Sequence, residues 1–383
     1  MDQFGQNPHQ PFGKMIKRIG ILTFHASHNY GSMLLAYALQ TFLEQQGYEM
    51  TIINHRGLAQ KFLYLKPTQL LKRKTLKEFV THPRLFIQNI GKWHKFEQFM
   101  ADYFRLSWEM PGLSSVEQAI NESFKFDAVI TGGDQIWNMD CWDFSLSYFL
   151  PFGTPGIRRI AYSPSMGDES WWQPSHYANL LKSLVERYDF PSVREESASK
   201  FLSGLINRSV PDVPDPTLLL DKDDYDALAG KTPLVKGDYL FYYSPQPDEK
   251  VSIFASQLSQ MLGCKVVSSN KQYAKAERSF IPYNNAGPSE FLNLLKYAKY
   301  VCGKSFHLVL FSLVFHKQFL AVGRSKGARI SSILNQVGLS SRYVVTGTNP
   351  KDVQFDDVDW MHVDKQLDAM RMKGAGFLRN ALE

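Results

Sequence analysis

The sequence is poor in cysteine and has no apolar run long enough to cross a bilayer. Its three cysteines, Cys141, Cys264 and Cys302, are far apart and form neither a disulfide framework nor a zinc-binding spacing. A reducing, cytoplasmic environment is therefore expected. No apolar run approaches the roughly 20 residues of a membrane-spanning helix. Residues 1–14 also lack the apolar segment of a signal peptide, so a disordered leader is expected there.

The chain has no large excess of positive or negative charge overall, although positive charge is concentrated in one segment. The net charge of the 383 residues is only +6, which suits an anionic substrate or a membrane surface and does not imply nucleic-acid binding. Residues 56–95 contain ten Lys or Arg and a single acid, Glu78, with leucine and phenylalanine interleaved. A solvated basic face is one interpretation. Contact with anionic lipid head groups at the inner face of the membrane is the other.

Strand and helix patterns alternate along the chain. An apolar run at 18–24, a helix at 33–46 and a strand at 49–54 form the first βαβ unit. Further strands are predicted at 128–131, 159–163, 190–193, 239–243, 265–268, 300–302 and 319–322, with helices between them. The pattern predicts an α/β protein of two Rossmann-like domains that face a central cleft.

The predicted boundaries follow from composition. The N-terminal domain covers 15–208 and carries a basic helical insertion at 56–100, and a proline-rich linker covers 209–222. The C-terminal domain covers 223–345. The tail at 346–383 is mostly helical, with a candidate break at 373–376, where two glycines occur.

Two loops that follow predicted strands of the first domain carry candidate binding residues. In the first loop, Asn29 or Ser27 is suited to cap the next helix, and Gly31 and Ser32 allow a ligand to approach the backbone. Capping alone also explains that loop. The second is the stretch GGDQIWN, which places the polar side chains of Asp134, Gln135 and Asn138 around the indole of Trp137. Carboxylate and amide groups bind sugar hydroxyls, and an indole face packs on a sugar ring, so this loop is a candidate sugar site. Helix capping by the acid and edge packing by Trp137 are the alternative.

Two later loops carry candidate anion-binding and proton-transfer groups. Arg194 ends a predicted strand and is suited to bind an anion through a bidentate contact. A salt bridge with the neighbouring Glu195 or Glu196 is the alternative. The loop CGKSFHL places Lys304, Ser305 and His307 at a helix start. It lacks the upstream glycine of a nucleotide-binding P-loop, and His307 is a candidate for proton transfer.

Six stretches in this order resemble the polysaccharide pyruvyl transferase family: ILTFHASHNYGSMLLAYALQ, FDAVITGGDQIWN, RRIAYSPSMG, FPSVREESASKFL, VPDPTLLL and KSFHLVLFSLVFHKQFLAV. The resemblance implies a fold similar to that of GT-B glycosyltransferases. It also implies transfer of the pyruvyl unit of phosphoenolpyruvate, a donor substrate, onto a sugar as a ketal. No metal and no further cofactor are expected.

The family's functional positions carry over onto residues 134–138, Arg194 and residues 305–307 of this chain. The resemblance departs at Lys304, where the family usually has an acid, and at Leu308, where it usually has glycine. We expect His307 to be the acid/base group, with Asp134 as a second candidate and with Lys304 or Arg324 binding phosphate. The acceptor is expected to be a sugar of a bacterial surface polysaccharide or its precursor, which can be lipid-linked. A GT-B-like glycosyltransferase that uses a nucleotide sugar and an inactive glycan-binding homologue are the alternatives.

Overall fold

The structure is a computed structural model that describes residues 16–64, 83–167, 169–172, 175–269, 275–323, 328–353 and 357–383. Three features predicted from the sequence lie outside these residues: the leader at 1–14, the middle of the basic stretch at 65–82, and the candidate phosphate ligand Arg324. The site is therefore built below from the remaining candidates.

The first sheet is parallel and has four strands in the order β2-β1-β3-β4. The strands are β1 (Arg18–Leu22), β2 (Glu49–Ile52), β3 (Ala128–Gly132) and β4 (Arg158–Tyr162). The helices of this half are α1 (Tyr30–Gln45), α2 (Leu58–Leu63), α3 (Pro83–Tyr103), α4 (Leu113–Gln118), α5 (Ala178–Val185) and α6 (Glu196–Ile206). The strand predicted at 190–193 is wrong. Phe190 and Val193 each form only an isolated bridge, to Ile160 and Asp212.

The second sheet is parallel and has six strands in the order β10-β9-β8-β5-β6-β7. The strands are β5 (Tyr239–Tyr243), β6 (Lys265–Ser268), β7 (Ile281–Pro282), β8 (Tyr300–Gly303), β9 (Gln318–Gly323) and β10 (Tyr343–Val345). The helices are α7 (Lys222–Ala229), α8 (Glu249–Leu262), α9 (Pro288–Lys296), α10 (Phe306–Val314) and α11 (Ala328–Gln336). Edge strands β7 and β10 were not predicted, because two or three residues are too few to show a periodic pattern.

Helix α1 is packed between the two halves of the molecule. It is apolar nearly all round because one side faces the first sheet and the other faces α9 and α10. At its first residue, Tyr30 stacks on Phe291 with ring centroids 4.4 Å apart and donates a hydrogen bond to the carbonyl of Ala286 at 3.0 Å. Gly47, with a φ of 86°, ends the helix as the sequence predicted.

The C-terminal helix α12 (Trp360–Leu382) returns to the first half of the chain. Arg158 donates from Nη1 to the carbonyl of Ala381 at 2.8 Å, and Phe377 packs against Tyr162. The candidate break at 373–376 is wrong because the helix runs through it. A Cβ at Gly374 would lie 2.4 Å from the hydroxyl of Tyr162, so the glycine permits this close helix contact.

The described part of the basic insertion is helical and makes specific ion pairs. Lys95 on α3 pairs with Glu290 of the second half at 2.6 Å, so α3 joins the two halves. Arg56 pairs with Glu97 at 3.3 Å, and Lys61 pairs with Glu109. Several of the ten cations are therefore locally neutralised. Within the described ranges, no helix is both long enough and apolar enough to cross a membrane.

Candidate functional site

A cavity of about 300 Å³ lies where the carboxyl ends of the two sheets face each other. Loops that follow β1, β3, β5 and β8 line it, together with the first turn of α11. The lining residues are Asn29, Asp134, Gln135, Ser244, Pro245, Gln246, Lys304, Ser305, Phe306, His307 and Arg329. Parallel α/β sheets bind ligands at this edge because the loops there are free to vary and helix N-termini point into it.

A buried charge cluster lies beside the cavity and joins three parts of the chain. Arg194, between β4 and α6, places Nη2 2.8 Å from Oδ2 of Asp215, and the side chains are 5% and 1% exposed. His307, in the first turn of α10, places Nε2 3.5 Å from the same oxygen. The Arg194 guanidinium also stacks on Phe306, with its carbon 5.4 Å from the ring centroid. The cluster therefore connects the linker, the first half and the second half.

The Asp215 carboxylate is ionised and fixed in direction. Its other oxygen, Oδ1, accepts hydrogen bonds from the backbone N–H of Thr217 at 2.9 Å and the Thr217 hydroxyl at 2.7 Å. Burial acts to raise the pKa of Asp215, but the nearby charges of Arg194 and His307 outweigh it and hold that pKa well below its usual range. Asp215 is therefore an anion under all ordinary conditions.

The His307 ring lies directly over Gly31 at the start of α1. A Cβ at position 31 would lie 2.1 Å from Nδ1 of His307, far inside contact distance. The space that the glycine leaves open is therefore filled by the imidazole, and the prediction that a ligand approaches the backbone there is corrected. Nε2 of His307 is buried beside Asp215, and Nδ1 lies against Gly31, while the residue as a whole lines the cavity.

The loops after β1 and β3 are tied to each other. Asn29 caps α1 by accepting from the N–H of Gly31 at 2.9 Å, as capping chemistry predicts, and it also lines the cavity. Ser32 donates to Oδ2 of Asp134, whose Oδ1 accepts from the N–H of Gln135 at 2.9 Å. Asp134 has a positive φ of 48°, a conformation that aspartate tolerates. These contacts hold the carboxylate at the cavity wall.

Trp137 and Asn138 do not form the sugar platform that the sequence suggested. Trp137 is fully buried, stacks on Phe149 at 4.9 Å and donates from Nε1 to the carbonyl of Tyr148 at 3.2 Å. Asn138 is 9% exposed and donates to the side-chain oxygen of Gln135 at 2.9 Å. The indole is a core residue because the chain turns inward after Gln135, so its face is unavailable to a sugar.

Lys304 and Leu308, the two departures from the family pattern, have clear structural partners. Nζ of Lys304 lies 2.8 Å from a carboxylate oxygen of Asp248 at the start of α8. Leu308 is 1% exposed and packs in the core beneath Gly303, where a Cβ would lie 2.8 Å from its Cδ2. Ser305 caps α10 by accepting from the N–H of Leu308. The helix start is intact despite both departures.

Sequence reasoning missed Asp215 and Arg329. Asp215 belongs to the VPDPTLLL stretch, which composition marked only as a linker, and its role depends on contacts with residues distant in sequence. Arg329 lines the cavity from α11, and within the described residues no carboxylate pairs with it. Two other histidines in the loop after β1, His25 and His28, have partners away from the cavity, and Nε2 of His25 lies 3.0 Å from Oδ1 of Asn54. Burial lowers the pKa of His25 to about 4, and His28 pairs with Glu97 at 3.0 Å.

Comparison with solved structures shows the fold. The S. aureus MnaA–UDP co-structure is 13% identical, with a TM-score of 0.52 over 95% of this chain and 94% of that one. AviGT4, a glycosyltransferase involved in avilamycin A biosynthesis, is 11% identical, with a TM-score of 0.50 over 95% and 97%. The N-terminal domain of Candida albicans trehalose-6-phosphate phosphatase is 10% identical, with a TM-score of 0.51 over 100% and 99%.

These likenesses agree with the two parallel sheets and the cleft between them. The fold is α/β with two Rossmann-like domains that face a central cleft, the GT-B arrangement.

No curated protein matches the sequence at a significant level. The family model for polysaccharide pyruvyl transferase matches residues 29–326, which cover most of the chain and include every cavity-lining loop except the start of α11. The chain therefore belongs to the polysaccharide pyruvyl transferase family.

Proposed function

We propose that this protein transfers the pyruvyl unit of phosphoenolpyruvate onto a sugar of a bacterial surface polysaccharide or its precursor, forming a pyruvate ketal. The observation that carries the proposal is the position of His307 in a cavity at the carboxyl ends of both sheets, with a buried Arg194–Asp215 pair behind it. A proton-transfer group beside fixed charges is what enol-ether chemistry needs.

In the proposed reaction, the imidazolium of His307 donates a proton to the methylene carbon of phosphoenolpyruvate, which becomes the methyl group. The adjacent carbon gains oxocarbenium character, and a sugar hydroxyl attacks it and returns a proton to His307. Phosphate then leaves with its bonding electron pair. A second hydroxyl of the same sugar attacks the same carbon, and its proton leaves with phosphate. One donor and one sugar diol thus give one ketal and one hydrogen phosphate.

The donor is strongly anionic, and Arg329 is suited to bind it. Among the cavity cations, Lys304 is paired with Asp248, whereas Arg329 has no carboxylate partner within the described residues. A guanidinium forms bidentate hydrogen bonds with phosphate or carboxylate. Arg329→Gln is therefore expected to raise the KM for phosphoenolpyruvate at least tenfold. Lys351→Gln, on the exposed surface, is the matched control.

The test is phosphate release from phosphoenolpyruvate in the presence of soluble and lipid-linked sugar acceptors, with mass analysis of the sugar product. Ketal formation by the wild type and a loss of roughly 10²–10⁴-fold in His307→Gln are expected, because glutamine hydrogen-bonds without shuttling a proton. Sugar transfer from a nucleotide donor would instead identify a glycosyltransferase. Sugar binding without turnover would identify an inactive homologue.

A cytoplasmic location at the inner face of the membrane belongs to this proposal. On the described surface, Leu58 and Phe62 of α2 are 78% and 64% exposed beside the basic stretch. Apolar side chains next to cations suit an anionic bilayer surface. Sedimentation with anionic liposomes that fades at high salt is expected, since exposed charges are screened. Equal recovery with neutral liposomes would contradict membrane contact through residues 56–95.

A further inference from the structure

We propose that Asp215 is a positioning residue for His307: its fixed carboxylate lies beside Nε2 and sets the orientation of the ring at the cavity. The inference rests on the proposed function. It concerns a residue of the linker whose stretch had no predicted role beyond joining the two domains. The contacts that carry it come from three separate parts of the chain.

The carboxylate is held so that one oxygen faces the ring. Oδ1 is occupied by the N–H and hydroxyl of Thr217, at 2.9 and 2.7 Å. Oδ2 lies 2.8 Å from Nη2 of Arg194 and 3.5 Å from Nε2 of His307. A carboxylate fixed by three contacts besides the ring has little freedom to follow the ring, so the ring must orient itself to the carboxylate.

The ring is restricted from its other side as well. Nδ1 lies over Gly31, which offers no side chain, and Nε2 is buried. Turning the ring over would direct a carbon atom toward Asp215, at the cost of the contact with an anion. The ring is therefore held between Gly31 and Asp215 in the orientation that the structure shows.

The other charged residues that the structure describes near the ring have partners of their own or line the cavity. Arg194 is directed at Asp215 rather than at His307, and Lys304 on the same loop is directed at Asp248. Helix α1 presents the uncharged Gly31 and Ser32 to this region, and Asp134 accepts a hydrogen bond from Ser32. Arg329 lines the same cavity from α11. Among the described residues, Asp215 is thus the anion nearest to the ring.

The experiment compares Asp215→Asn, Asp215→Glu and the double variant Arg194→Met/Asp215→Asn. The double variant is included because a buried arginine without its partner can prevent folding, whereas two neutral residues leave no buried charge unpaired. The readouts are kcat and the KM for phosphoenolpyruvate, determined separately, and the positions of the His307 ring resonances in NMR spectra. Asp127→Asn is the matched control. That carboxylate is 8% exposed and binds the N–H groups of Lys17 and Arg18 at the opposite end of the first sheet.

Loss of the carboxylate is expected to lower kcat roughly tenfold or more in the Asn variants and to move the His307 ring resonances, while the KM for phosphoenolpyruvate changes by less than about threefold. Asp215→Glu keeps the charge but displaces the carboxylate, so kcat should again fall roughly tenfold or more. Unchanged kcat and unchanged ring resonances in folded Asn variants would overturn the inference. Displaced ring resonances in a protein that forms no ketal would support the Asp215–His307 contact and refute the proposed function.

Discussion

Gly31→Ala tests the placement of His307 with the smallest possible change. Gly31 lies in the first turn of α1 with an ordinary helical backbone, so alanine fits the main chain. The added Cβ would lie 2.1 Å from Nδ1 of His307, and ordinary contact begins near 3.4 Å. The ring must therefore retreat by about 1.3 Å, which removes it from both Asp215 and its position in the cavity.

A misplacement of about 1 Å in a reacting group costs roughly 10²-fold in rate. Phosphate release by Gly31→Ala is therefore expected to fall about 10²–10³-fold. The protein should remain folded, because alanine stabilises a helix by up to about 1 kcal/mol relative to glycine and the clash involves a movable ring. A thermal unfolding midpoint within a few degrees of the wild type, together with the lost turnover, would show that the substitution disrupts the site and not the fold.

The control is Gly376→Ala in α12, where a Cβ meets nothing within 4 Å. It makes the same chemical change in a helix without approaching the cavity, and its turnover should match the wild type. Near-wild-type turnover in folded Gly31→Ala would refute the reasoning. It would mean that the His307 ring does not need to lie over Gly31 for the reaction to proceed.

The other predictions concern stability and its dependence on pH. Arg194→Met should lower the free energy of unfolding by about 3–5 kcal/mol, because it leaves the buried Asp215 without its partner; an unchanged urea midpoint would contradict the ion pair. Trp137→Ala should cost a similar amount, about 3–5 kcal/mol, by emptying a core site, with acceptor affinity unchanged in the folded fraction. Since the pKa of Asp215 is lower in the folded state than its unfolded value near 4, its stabilising contribution is present above about pH 4 and is lost as pH falls below that. Urea unfolding from pH 5 downward should therefore show a steeper loss in the wild type than in Asp215→Asn.

Local sequence patterns were sufficient to predict most of the strands and loops that surround the site. Apolar runs identified most strands, and capping chemistry identified Asn29 as a cap of α1, although the helix begins at Tyr30 and not at residue 33 as predicted. Because the strands of each parallel sheet end at one edge and the two domains were expected to face a shared cleft, the loops that hold Asp134 and His307 could be expected to meet. The predicted strand at 190–193 failed for the opposite reason. An apolar run shows that a segment is buried, but not that a neighbouring strand is in register with it.

Sequence alone determined that the chain is α/β, that its polar loops follow strands, and that His307 stands at a helix start in a family-like motif. Only the tertiary structure decided which side chains face one another. Trp137 points into the core, Gly31 makes room for an imidazole, and Asp215 turns from a linker residue into the anion beside His307. The physical reason is the sequence separation over which each kind of interaction acts. Periodicity and capping depend on neighbours a few residues away, whereas ion pairing and close packing depend on segments that only the folded chain brings together.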